Sequence, residues 1–189
     1  MNQRMLAIIS GIVLVILVAG GVLYVKFHPQ QLQNASTAPV TTQLSVGDPA
    51  PQFTMPSTAG FFDLSKVTQP VLIEIFATWC PHCQRETVVM NKLFAAYGKR
   101  VKFLAIPGSP FGMDGTSPAS QFDVLNFTIK FGVKYPIGEY DPNLTVAKLL
   151  LKGGYPTIAI VGRDKKIAYI NSGEIPYDDL AAALNQVLK

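Results

Sequence analysis

The chain has 189 residues, of which 49% are hydrophobic and only 15% are charged, and its mean hydropathy is +0.28. This length allows one compact domain or at most two small ones. The composition excludes a disordered, collagen-like, coiled-coil or multi-span membrane protein. The net charge of +4 is interspersed along the chain without a basic stripe, so no nucleic-acid partner is expected.

The hydrophobic excess lies near the amino terminus. No charged residue interrupts the run from Leu6 to Val25 (residues 6–25), which at 1.5 Å per residue is about long enough to cross a bilayer core. No small-residue cleavage site follows closely, which favours a retained single-pass membrane anchor at residues 1–27 over a cleaved signal peptide. Arg4 and the short leading segment predict that the rest of the chain lies outside the cytoplasm.

Residues 28–46 are polar and almost uncharged, as in a linker, and residues 47–189 are predicted to form one domain. In chain order we expect a small hairpin around Ser57 and Gly60, a buried strand at 71–77, and a helix at 81–97 that ends at Gly98. The buried side of this helix is predicted to carry apolar side chains, namely Val88, Val89, Leu93, Ala96 and Tyr97.

The second half of the domain continues the alternation of strands and helices. A buried strand at 101–106 and a loop at 107–118 precede a helix that Ser117 and Pro118 begin and that ends near Gly132. A short helix from Asp141 to the Gly153-Gly154 pair, a hairpin of 157–161 and 166–170, and a helix at 177–188 follow. Right-handed crossovers make the first two long strands parallel neighbours, so the predicted fold class is α/β with one mixed central sheet flanked by helices.

The only two cysteines, Cys80 and Cys83, lie in TWCPHC between the first buried strand and its helix. A C-x-x-C at this point of a βαβ pattern indicates a redox-active dithiol. A structural zinc site would need more ligands, and His28 beside the apolar run is the only histidine besides His82, so no metal is expected. A structural disulfide is the other alternative, but closing so short a loop would constrain the unfolded chain little.

The position of Cys80 explains its expected reactivity. The unpaired N–H groups and the positive end of the helix stabilise a thiolate there, and Pro81 fits the first helical turn. Cys83 faces the same side, deeper, where it can resolve a mixed disulfide. His82, if protonated, adds a positive charge near the Cys80 sulfur; the alternative is an exposed helix residue without a role.

The segment VLIEIFATWCPHCQRE, with GDPAPQF before it and GYPTIAIV after it, resembles the thioredoxin superfamily. More narrowly, residues 45–189 resemble the membrane-anchored TlpA/ResA-like thiol-disulfide oxidoreductases, which implies a thioredoxin-like fold preceded by one transmembrane helix. The Pro-His dipeptide between the cysteines departs from the usual Gly-Pro or Glu-Pro. It resembles instead that of the periplasmic disulfide oxidase DsbA.

The resemblance implies roles for five further residues. Glu74 matches a buried acid that relays a proton to or from Cys83, against the alternative of a charge on an exposed edge strand. Pro156 matches a cis-proline opposite the dithiol, against an ordinary trans proline. Glu86 matches an acidic position of the ResA-like branch and is assigned to substrate binding, against the alternative of a solvated helix residue. Trp79 and Tyr155 are expected to wall the cleft that binds substrate, unless they are packed core.

The sequence thus predicts a thiol-disulfide oxidoreductase in a bacterial inner membrane, with its domain in the periplasm and without a metal or organic cofactor. Its expected partners are client proteins with cysteine thiols or disulfides and a membrane redox partner. The family suggests a reductant in cytochrome c maturation, whereas the Pro-His dipeptide favours a DsbA-like oxidant.

Three other classes of function are open. A copper chaperone would have a C-x-x-x-C and a distant histidine. A peroxiredoxin-like peroxidase would have a proline and a threonine shortly before a lone cysteine, where this chain has Thr78-Trp79-Cys80 without the proline. A non-catalytic binding module would keep its function without Cys80.

Overall fold

The computed structural model describes residues 43–189. The predicted anchor at residues 6–25 and most of the predicted linker lie outside the described residues. Within residues 43–189, every helix is too short or too polar to span a bilayer.

The described domain is built on a four-stranded mixed sheet with the order β4-β3-β5-β6. Strand β3 (Val71–Phe76) pairs in parallel with β4 (Lys102–Pro107) and antiparallel with β5 (Thr157–Val161), which pairs antiparallel with β6 (Ile167–Ser172). This confirms the predicted parallel pair and closing hairpin. Because β3 is central, all six of its residues are buried, which is why its sequence is a nearly unbroken apolar run.

A separate hairpin and four helices complete the domain. The hairpin of β1 (Thr54–Ser57) and β2 (Gly60–Asp63) was predicted at this place. The helices are α1 (Pro81–Tyr97), α2 (Gln121–Phe131), α3 (Thr145–Leu150) and α4 (Tyr177–Val187). One core cluster joins the sheet to α1, α2 and α4, and a second joins it to the hairpin and α3. The dithiol and Glu74 belong to the side of the first cluster.

The buried face of α1 differs from the prediction. Leu93 and Tyr97 are buried as expected, but Val88 is 57% exposed and Ala96 is also exposed. The inward face begins at Cys83 and returns every three or four residues through Glu86 and Met90. The prediction missed the first inward turns because it counted only apolar residues, whereas a cysteine and a carboxylate occupy these turns; Val89 is partly buried against the core.

Two helices begin later than predicted. Helix α2 begins after Ser120, whose side chain accepts from the Asp123 N–H while the Asp123 carboxylate accepts from the Ser120 N–H, a complete capping box. The predicted start at Ser117 was therefore wrong by one turn. The carboxylate of Asp141 does accept from the Thr145 N–H at 2.7 Å, but helix α3 itself begins at Thr145 and ends at Leu150, before the glycine pair.

Candidate active site

The dithiol lies where β3 gives way to α1. Cys80 is the residue that caps the amino end of α1, Pro81 occupies its first turn, and the Cys80 carbonyl accepts the Gln84 N–H at 3.1 Å. Both thiols are free; Cys80 is 4% exposed and Cys83 is fully buried. Cys80 is therefore the sulfur nearer the surface, beside the positive end of the helix.

The segment before β5 faces the Cys80 thiol. The Tyr155–Pro156 peptide bond is cis, and the Tyr155 carbonyl oxygen lies 3.6 Å from the Cys80 Sγ, which donates to it. Tyr155 in turn donates its hydroxyl to the Gly108 carbonyl. The trans-proline alternative for Pro156 was therefore wrong, and the Tyr155 backbone faces the dithiol.

Trp79 and Tyr155 lie together beside the thiols, as the sequence suggested. Their rings meet edge to face with centroids 6.1 Å apart. The Trp79 indole N–H donates to the Ser109 hydroxyl at 2.7 Å, which fixes the ring against the segment that follows β4. Both aromatic rings are partly exposed, so they form a wall of the site as well as part of its packing.

Glu74 lies in the middle of the sheet, on the central strand that leads to the dithiol. It is 2% exposed on the central strand β3, so the alternative of an exposed edge strand was wrong. Burial, and next the charge of Glu86, raise the pKa of Glu74 to about 8. The Tyr135 hydroxyl donates to Glu74 Oε2 at 3.1 Å and acts in the opposite direction. Glu74 therefore exchanges a proton near neutral pH.

Cys83 shares the buried environment of Glu74. Burial raises the pKa of the Cys83 thiol far above its usual range, and the negative charge of Glu74 raises it further. Cys83 therefore keeps its proton at neutral pH, and it can become a nucleophile only when a neighbouring group accepts that proton.

Glu86 lies on the inner face of α1. It is 1% exposed, so the alternative of a solvated helix residue was wrong. Its Oε2 accepts the Ile175 N–H at 3.0 Å, and burial raises its pKa to about 7. The match of Glu86 to an acidic position of the ResA-like branch, and its assignment to substrate binding, stay predictions.

His82 lies on the surface of α1 and forms a cluster that the sequence did not predict. Its Nδ1 lies 2.6 Å from Glu174 Oε1, and Arg85 donates to both oxygens of the same carboxylate. Arg85 could have been found by its helical spacing from His82. Glu174 and Tyr135 could not, because they are 92 residues from His82 and 61 from Glu74 along the chain.

The site therefore holds a near-surface thiol, a buried thiol and a buried carboxyl group with a pKa near neutrality. This set can exchange two electrons and two protons without a metal or an organic cofactor. Within residues 43–189, no three His, Cys, Asp or Glu side chains are grouped so that they could hold a metal ion.

A mixed sheet with a C-x-x-C at the start of α1 and a cis-proline opposite defines a thioredoxin-like protein. The family model described as Redoxin matches residues 45–187, and the chain belongs to that family. It is a TlpA/ResA-like member of the thioredoxin superfamily and a thiol-disulfide oxidoreductase.

Individual proteins agree with this assignment. The chain is 27% identical over 191 residues to the thiol-disulfide oxidoreductase ResA of Geobacillus kaustophilus, with 98% of each chain covered. It is 39% identical over 61 residues to the thiol:disulfide interchange protein DsbE of Escherichia coli K12, which covers 30% of this chain and 32% of that one. The crystal structure of StoA from Bacillus subtilis superposes with a TM-score of 0.58 at 18% identity, over 71% of this chain and 96% of that one.

Proposed function

We propose that this protein reduces disulfides of client proteins through Cys80 and Cys83, with Glu74 as the group that accepts the Cys83 proton. The observation that carries the proposal is the asymmetry of the dithiol. The Cys80 sulfur lies at the amino end of α1 and faces the Tyr155 carbonyl. The Cys83 sulfur is buried, and the charge of Glu74 raises its pKa further.

The reaction takes place in two displacements. The Cys80 thiolate attacks one sulfur of the client disulfide, a Cys80–client bond forms, and the other client sulfur leaves as a thiolate. Cys83 then passes its proton to Glu74 and attacks the Cys80 sulfur, which breaks the mixed disulfide and releases the second client thiolate. Two electrons pass from the dithiol to the client, and the protons of the dithiol end on the client thiols.

The local charges favour a reductant over a DsbA-like oxidant. The Pro-His dipeptide alone would favour the oxidant, because a protonated His82 stabilises the thiolate and hence the reduced form. Here the Nδ1 of His82 points to Glu174, and Arg85 is bound to the same carboxylate. The positive charges beside Cys80 are therefore partly neutralised.

The proposal includes the setting that the sequence suggests. We expect residues 6–25 to anchor the chain in a bacterial inner membrane with the domain in the periplasm, and a membrane redox partner to restore the dithiol. The TlpA/ResA-like resemblance supports cytochrome c maturation as the pathway. Membrane fractionation with a high-salt wash tests the anchor: the chain should stay with the membrane, and a soluble product that begins near Pro39 would contradict it.

The exchange itself is tested with the reduced full-length protein in detergent and a disulfide-containing protein substrate. We expect turnover with a thiol reductant, no turnover for Cys80→Ser, and a trapped mixed disulfide through Cys80 for Cys83→Ser. Net oxidation of a reduced client in a glutathione buffer would favour the DsbA-like function. Turnover of peroxide without a client would favour a peroxidase, and full function of Cys80→Ser would favour a binding module.

A further inference from the structure

The turn between β6 and α4 is held against the active site at three consecutive residues. The Gly173 N–H donates to the Pro156 carbonyl at 2.8 Å, and the Ile175 N–H donates to Glu86 Oε2 at 3.0 Å. Glu174 lies between these two anchored residues, and its side chain reaches the first turn of α1. Its position beside the dithiol is therefore fixed by backbone contacts on both sides.

The Glu174 carboxylate binds two basic side chains at once. Arg85 Nε lies 3.0 and 3.1 Å from its two oxygens, Arg85 Nη2 also donates to Oε1, and His82 Nδ1 lies 2.6 Å from Oε1. A guanidinium fork on a carboxylate is a strong and oriented pair. These bonds, from Arg85 first and then from His82, lower the pKa of Glu174 to about 2, so it is ionised whenever the enzyme works.

The same contacts fix the ring of His82. Its Nδ1 lies 2.6 Å from a carboxylate oxygen and 3.0 Å from the Arg85 Nη2 donor. The carboxylate and the guanidinium both contact this ring nitrogen, so the ring cannot turn away from Glu174 without losing two contacts.

Arg85 lies in the first turns of α1, five residues after Cys80. Its pKa is raised first by the hydrogen bond to Glu174, and the negative charge of the Cys80 thiolate raises it further. Arg85 is thus paired with one permanent anion, and a second negative charge, on Cys80, is present only when the dithiol is reduced. His82, two residues from Cys80, is bound to the same permanent anion.

We propose that Glu174 is a positioning residue that sets the redox potential of the dithiol through His82 and Arg85. The inference rests on the proposed thiol-disulfide exchange. The Arg85 guanidinium, and His82 when it is protonated, stabilise the Cys80 thiolate of the reduced form and have no thiolate to stabilise in the disulfide. By neutralising part of their charge, Glu174 makes the reduced form less stable and the dithiol a stronger reductant.

Glu174→Gln tests this, because glutamine keeps the length of the side chain and an oxygen that accepts hydrogen bonds but removes the charge. In the full-length protein we expect site-resolved alkylation of Cys80 at pH 6 to become about 2- to 5-fold faster, as exposed charge pairs couple weakly. The equilibrium with glutathione should shift about threefold toward the reduced protein, about 14 mV less reducing. High salt should shrink both changes.

Three further variants separate this effect from a general change of charge or of stability. Asp178→Asn removes an exposed carboxylate from the first turn of α4 and should change both readouts much less. Arg85→Gln should shift both in the opposite direction. In a chain that carries both His82→Gln and Arg85→Gln, Glu174→Gln should have no further effect.

The proposal is overturned if Glu174→Gln changes only the stability, matches Asp178→Asn, or slows alkylation. A wild-type protein that equilibrates with glutathione but reduces no protein disulfide would contradict the proposed function instead. The effect of Glu174→Gln could still be measured in that case, because neither the alkylation of Cys80 nor the equilibrium with glutathione needs a client protein.

Discussion

The pKa values of the glutamate side chains are shifted in opposite directions on the two sides of α1. Glu74 and Glu86 are buried, their hydrogen-bond partners are a hydroxyl and a backbone amide, and their pKa values are raised to about 8 and about 7. Glu174 is exposed beside Arg85, and its pKa is lowered to about 2. Glutamate therefore carries a transferable proton on the inner side of the dithiol, whereas on the outer side it is a fixed negative charge.

Because of this difference, we expect the two sides to have different roles in the reaction. A group with a pKa near the working pH serves best as an acid and a base, and of the two regions only the inner one provides such groups next to Cys83. A fixed charge moves no protons but changes the stability of a nearby thiolate. We therefore expect substitutions on the inner side to change exchange rates and their pH dependence, and substitutions on the outer side to change the redox potential.

The largest expected effect is the loss of the inner proton acceptor. Glu74→Gln keeps the shape of the side chain but cannot take the Cys83 proton, so disulfide exchange should slow by about 10- to 100-fold, in the lower range of general-base effects. The alkylation rate of Cys80 should change little, and Glu139→Gln, an exposed carboxylate, is the matched control. Wild-type rates for Glu74→Gln between pH 6 and 8 would show that the carboxyl group is only structural.

The second effect is on stability. Because the folded pKa of Glu74 is raised, its contribution is fully present below the unfolded pKa near 4.5 and is lost as pH rises toward 8. The wild-type free energy of unfolding should therefore fall by about 3 kcal/mol between pH 5 and pH 8 from this group. Urea denaturation at several pH values measures it; Glu74→Gln should flatten this dependence, and an equally steep dependence in that variant would contradict the assignment.

Much of the site could be predicted from local sequence, and the parts that could not depend on contacts distant in the chain. Cys80, Cys83 and Glu74 lie within ten residues, in one strand and one turn whose pattern is unambiguous. The capping box of Ser120 and Asp123 was also readable, but the Ser-Pro three residues earlier is an equally good signal for a helix start. Glu174 meets α1 only because β6 pairs beside β5, which no local pattern encodes.

The third effect belongs to Glu86. Burial raises the pKa of Glu86, the hydrogen bond from the Ile175 N–H lowers it, and the charge of Glu174 raises it. Glu86→Gln removes the charge that raises the pKa of Glu74, so the pH at which exchange is half-maximal should move down by less than about one unit. An upward shift would contradict the coupling between the two buried carboxyl groups.

The smallest effect is expected at Tyr135. Tyr135→Phe removes the hydroxyl that donates to Glu74 Oε2 and lowers its pKa. The half-maximal pH for exchange should move up by about half a unit to one unit, the equivalent of one hydrogen bond. Tyr97→Phe is the control, since its hydroxyl bonds Asn185 instead, and it should leave the pH profile unchanged.

The contrast between the inner and outer carboxyl groups can be measured directly. Carbon-13 NMR titration of the glutamate side chains in the reduced full-length protein, with Glu74→Gln and Glu174→Gln to assign the signals, gives each pKa without an activity assay. The predicted result is that Glu74 titrates near pH 8 and Glu174 near pH 2. Titration of both groups near the ordinary glutamate value of about 4.3 would contradict the account.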